Sequence, residues 1–214
     1  VFDSAQTLEA KLLTGNSGYD VVFPGSAQVA NLIAAGAALP LQRDKLPNWH
    51  YLDPAFMASR AVDDPGNRYA VPYLWGTTLI GYNRAKVKAA LGNDVDMNDW
   101  DVLFKPENAA KMKSCGIAVL DSSDEVMAIT LNYLGLNPNS RDKADYAKAQ
   151  AAWSAIRPSV RYFNSSKFVS DLANGDICLA VGWSGAVLAA QNMAAGGKNG
   201  VEIEMALPKQ GTLM

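Results

Sequence analysis

Two side chains have the right types and places to hold a small charged ligand. Glu125 supplies a carboxylate and Trp183 a flat apolar face. Together they suit a cation, because charge-assisted hydrogen bonding and cation–π attraction both favour an ammonium group. Each also has a plainer reading. Glu125 opens a helix, where an acid stabilises the helix dipole. Trp183 reads either as core or as a cleft wall, and the Ser184-Gly185 that follows it favours the wall.

Bond-making chemistry has no comparable set. The chain holds one histidine and two cysteines, too few for a His-rich zinc site. His50 lies in the turn-rich stretch Leu46-Pro47-Asn48-Trp49-His50-Tyr51-Leu52-Asp53-Pro54 and reads as a solvated loop residue. No Gly-x-Ser-x-Gly elbow exists to give it a nucleophile. Neither a Gly-x-x-x-x-Gly-Lys-Ser/Thr loop nor a Gly-x-Gly-x-x-Gly turn is present. The residues therefore point away from an enzyme and call for no metal or cofactor.

An α/β framework would place the candidate residues. In such sheets, ligands gather at the carboxyl ends of strands, where helix N-termini converge. Tyr19–Pro24 reads as a buried parallel strand between helices over Ala5–Leu13 and Ala27–Ala35, with Val1–Ser4 as a strand already under way. A strand over Gly76–Asn83 precedes a helix at Arg84–Leu91, and another helix lies near Pro106–Met112. Strands follow at Gly116–Leu120, Val160–Phe163, Ile177–Trp183 and Val201–Pro208, with helices at Asp124–Leu134, Ala144–Ile156, Lys167–Ala173 and Ala186–Ala195. The strand-end residues are then Pro24-Gly25-Ser26, Asp121–Glu125, Asn164-Ser165-Ser166 and Trp183-Ser184-Gly185.

The 214 residues allow one large domain or two small ones at about 150 residues each. Residues 1–79 carry part of one α/β layer, 80–208 a second and nearly complete one, and 209–214 turn back toward the first. With 49% apolar and 19% charged residues and a net charge of −2, the chain is neither disordered nor drawn to nucleic acid. It contains no apolar run near the roughly 18 residues a membrane span needs. The sequence reads as a piece of a longer protein, cut at both ends. Cys115 and Cys178 read either as two buried free thiols or as a disulfide closing a long loop.

Three stretches carry a family resemblance. They are Tyr69-Ala70-Val71-Pro72-Tyr73-Leu74-Trp75-Gly76-Thr77-Thr78 with Gly81-Tyr82-Asn83; Asn132-Tyr133-Leu134-Gly135 with Asn137-Pro138; and Tyr162-Phe163-Asn164-Ser165-Ser166 running on to Asp171–Cys178. With Trp100-Asp101 and Lys105-Pro106-Glu107-Asn108, the chain resembles the periplasmic polyamine-binding proteins of ABC importers, on the putrescine-binding branch. The resemblance implies a periplasmic-binding-protein-like fold of two α/β lobes joined by hinge strands, near Thr78–Tyr82 and Pro208–Thr212, with a diamine closed between the lobes. It further implies a Cys115–Cys178 disulfide, the oxidising periplasm as compartment, ABC-transporter membrane subunits as partners, a monomer, and no nucleic acid.

Site residues follow from the resemblance position by position. Glu125 matches a pocket carboxylate, Ser165 a polar pocket residue and Trp183 an aromatic wall. The family's serine after Pro24 aligns with Gly25, and Ser26 stands ready as its substitute. Where the family has an amine-holding aspartate, this chain has Ala186. Ala186 leaves open an alternative in which the same fold binds a different amine-containing or small polar ligand.

Overall fold

The computed structural model describes residues 4–212, and the strand read into Val1-Phe2-Asp3 lies outside them. The chain forms two compact units, Val1–Trp75 and Gly76–Met214. They divide ahead of the 79/80 boundary read from the sequence.

The first unit holds helices α1 (Ala5–Leu13), α2 (Ser26–Ala34) and α3 (Pro54–Arg60). The Ser4 hydroxyl accepts the Thr7 N–H at the start of α1, and the Asp53 carboxylate accepts the Ala55 and Phe56 N–H groups at the start of α3. Asp64 is buried and gathers the backbone N–H groups of Arg68, Tyr69 and Ala70, which folds the loop after α3 around it. His50 sits exposed in a short 3₁₀ turn, Trp49–Tyr51.

One expectation fails here. Tyr19–Pro24 is irregular, with Val21 74% and Phe23 60% exposed, so it is no buried strand. Phe23 packs its ring on Tyr73 at 4.7 Å instead. An apolar, β-branched run becomes a central strand only when neighbouring strands pair its N–H and C=O groups. Among the described residues of this unit, no strand pairs with it.

The second unit is an α/β layer. Its elements are β1 (Thr78–Asn83), α4 (Arg84–Leu91), α5 (Asp101–Phe104), α6 (Pro106–Met112), β2 (Ile117–Val119), α7 (Ser123–Tyr133), α8 (Lys143–Ile156), β3 (Val160–Phe163), α9 (Lys167–Asn174), β4 (Leu179–Trp183), α10 (Ser184–Gly197) and β5 (Ile203–Ala206). The sheet order is β3-β2-β4-β1-β5. β2 runs parallel to β3 and β4, whereas β1 is antiparallel to both β4 and β5.

Helices cover the sheet, so β2 is buried along its whole length. Ile80, Trp100, Leu103, Ile117, Phe168 and Leu179 form the centre of one continuous core. Gly182 in β4 is required there, because a Cβ at that position would stand 2.6 Å from the Phe168 ring.

Cys115 and Cys178, each placed just before a strand, are joined by a disulfide with their Cα atoms 5.4 Å apart. The bond ties the starting ends of parallel neighbours β2 and β4, which resolves the sequence alternative of two free thiols. The finishing ends of β2, β3 and β4 lie together at the opposite edge. Because β1 runs against β4, its first residue, Thr78, arrives at that same edge, opposite Trp183.

Candidate functional site

The carboxyl edge of the second unit's sheet brings Glu125, Trp183 and Ser165 to one end of the fold. Three local features position them. The α7 helix starts right after β2, with Ser122 as its N-cap and Asp124 and Glu125 in its first turn, where an acid complements the helix dipole. Trp183 is the last residue of β4 and the N-cap of α10. Ser165 lies in the short turn between β3 and α9. The Asn164 side chain shapes that turn by accepting the Ser166 and Lys167 N–H groups, which caps the start of α9.

Glu125 and Trp183 are in direct contact. The Trp183 Nε1–H donates to Glu125 Oε2 at 2.9 Å. Thr78 Oγ1–H donates to the same oxygen at 2.7 Å. The Ser122 hydroxyl lies 3.1 Å from Glu125 Oε1 and 2.9 Å from Asp124 Oδ1, so its single proton is shared between two acids. The Glu125 carboxylate is half-buried, and three protein groups hold it in place.

Trp183 is 38% exposed, so the hydrogen bond fixes its ring while part of the ring stays open. A fixed carboxylate beside a partly exposed indole is an arrangement that receives a cation.

Ser165 is buried, and its Oγ accepts the Asp121 N–H at 3.1 Å, tying the end of β3 to the end of β2. Gly25 and Ser26 lie in the first unit, where Gly25 is the N-cap of α2 and Ser26 its first residue. Ala186 occupies the first turn of α10, partly buried and packed against the core. Thr78 is the contributor that sequence reasoning missed, while Ser122 belongs to the strand-end residues Asp121–Glu125 read from the sequence. Both are buried polar residues; the role of Thr78 depends on a cross-strand register that no local pattern reveals, whereas Ser122 stands three residues ahead of Glu125 at the start of the same helix.

Among the described residues no cluster of three metal-ligating side chains occurs, and no helix is long and apolar enough to cross a membrane.

Residues 2–214 match the model of the bacterial extracellular solute-binding proteins. The chain belongs to that family. It is similar to the putrescine-binding periplasmic protein PotF of Escherichia coli strain K12, at 47% identity over the whole chain and 58% of the relative. It is likewise similar to the putrescine/agmatine-binding protein of Pseudomonas aeruginosa strain PAO1, at 48% identity over the same shares. Among solved structures, one from Listeria monocytogenes, provisionally assigned as a spermidine/putrescine ABC transporter, superposes with a TM-score of 0.81 at 29% identity, covering 99% of this chain and 60% of that one. The chain therefore has a periplasmic-binding-protein fold and spans 58% of the length of these curated relatives.

Proposed function

We propose that this chain is the larger part of a receptor that captures a diamine of the putrescine class in the periplasm and delivers it to the membrane subunits of an ABC importer. The observation that carries this reading is the Glu125 carboxylate, held by Thr78 and by the partly exposed Trp183 indole. A primary ammonium meets both a full negative charge and a π face there, and no nucleophile–base pair stands beside them. The receptor works without catalysis or cofactor, as a monomer, and has no nucleic-acid partner. The names of the 47–48% identical relatives support the ligand class.

In this reading Glu125, Ser165 and Trp183 are ligand-binding residues, and Gly25 and Ser26 are further ligand-binding residues. Residues 1–79 are a partial first lobe, 80–208 the second lobe, and 209–214 the return toward the first. Two features support crossing segments near Thr78–Tyr82 and Pro208–Thr212. β1 and β5 are antiparallel neighbours with Ile80 opposite Ala206, and the Thr77 and Thr212 hydroxyls are hydrogen-bonded.

A thermal-shift panel on the full-length protein tests the function. Putrescine should raise the melting temperature, while neutral sugars and acidic amino acids should not. A shift with a sugar or an acidic amino acid and none with any amine would overturn the reading.

A further inference from the structure

The two oxygens of Glu125 are not equivalent. Oε2 accepts two protein hydrogen bonds, from Thr78 at 2.7 Å and from Trp183 at 2.9 Å. A carboxylate oxygen has two lone pairs in its plane, so Oε2 is saturated before any ligand arrives. Oε1 carries only a share of the Ser122 proton and retains accepting capacity.

We propose that Thr78 is a positioning and specificity-determining residue: by filling the second lone pair of Glu125 Oε2, it leaves the carboxylate a single open oxygen, which suits a primary ammonium and not a guanidinium fork. This deepens the proposed function and rests on it. An ammonium satisfies itself at one oxygen with one N–H and turns its other protons elsewhere. A guanidinium gains most from two parallel N–H bonds, one to each oxygen, and here the second position is taken.

The arrangement is built in rather than incidental. Thr78 is 2% exposed, so its hydroxyl must find a partner inside the protein, and Glu125 is that partner. Thr78 also stands directly across the sheet from Trp183, which puts both donors on rigid, paired strands. Its neighbour Thr77 is fixed by two bonds to Ser184, one from the Thr77 N–H to the Ser184 hydroxyl and one from the Ser184 N–H to the Thr77 carbonyl.

The test is a pair of calorimetric titrations, putrescine and its bis-guanidino analogue arcaine, on the full-length protein and on Thr78→Val and Thr78→Ser. Valine keeps the shape and removes the donor; serine keeps the donor. Thr78→Val should lower the putrescine-to-arcaine affinity ratio by about tenfold, the size of one charge-assisted hydrogen bond lost or gained. Thr78→Ser should restore the parent ratio to within about threefold, less than half that bond's energy. A general loss of folding would weaken both ligands alike and leave the ratio unmoved. Putrescine binding by the parent with an unchanged ratio in Thr78→Val, or no restoration by Thr78→Ser, would overturn the role of Thr78 alone. Binding of neither compound by the parent would overturn the receptor reading, and this role with it.

Discussion

Thr78 and Trp183 face each other across antiparallel strands and donate to one and the same oxygen of Glu125. A strand start, a strand end and a helix start, drawn from three distant parts of the chain, thereby hold one carboxylate. The indole N–H is spent on that carboxylate, which leaves the ring face as the part of Trp183 available to a ligand.

Ala186 offers a gain-of-affinity test. It lies in the first turn of α10, three residues beyond Trp183, where an acid is compatible with the helix dipole. Ala186→Asp should tighten putrescine binding by roughly tenfold, since one added charge-assisted contact is worth about 1.4 kcal/mol or more. Titration calorimetry on the full-length protein and the variant checks this. Equal affinities would show that the position does not contribute to amine binding.

The disulfide closes a sequence separation of 63 residues, which on the loop-entropy account corresponds to about 4 kcal/mol of stability. Cys115→Ser combined with Cys178→Ser should lower the unfolding free energy by roughly that amount, read by denaturant titration. Ligand affinity should change far less, because the bond joins the ends of β2 and β4 remote from Glu125.

Asp99 gives a pH signature. Burial works to raise its carboxyl, but hydrogen bonds from Lys209, the Asp101 N–H and Gln210 outweigh it and hold the group at about 2. Lys209 approaches Asp99 at 2.8 Å, and the Trp100 indole N–H donates to the Gly211 carbonyl at 3.0 Å, so this cluster anchors the segment after β5. A depressed carboxyl stabilises the fold above its unfolded value near 3.9, and that contribution fades as pH falls through about 2. Asp99→Asn should therefore melt below the parent at pH 7, with the gap shrinking under about pH 4 and closing near pH 2. A constant gap across that range, followed by calorimetry, would contradict the assignment.

Much of the second unit was legible in the sequence. Helices α4 and α6 and strand β3 fall where their flanking caps and breakers put them. Glu125 and Trp183 could be picked out because strand ends and helix starts leave local marks. Thr78 could not, since what makes it matter is the pairing of β1 with β4, whereas Ser122 stands three residues before Glu125 in a local Ser-x-x-Glu helix start. The Tyr19–Pro24 segment misled for the opposite reason. Its composition suits a buried strand, but composition does not supply the neighbours a strand needs.

The most direct test of the account is a calorimetric titration of putrescine into the full-length protein and its Glu125→Gln variant. Glutamine still offers Thr78 and Trp183 an acceptor oxygen, so the local fold should stand while the negative charge is gone. The account predicts one-site binding of putrescine by the parent and at least a tenfold loss in the variant, the scale of one charge-assisted contact. Undiminished binding by Glu125→Gln, or no putrescine binding by the parent, would contradict it.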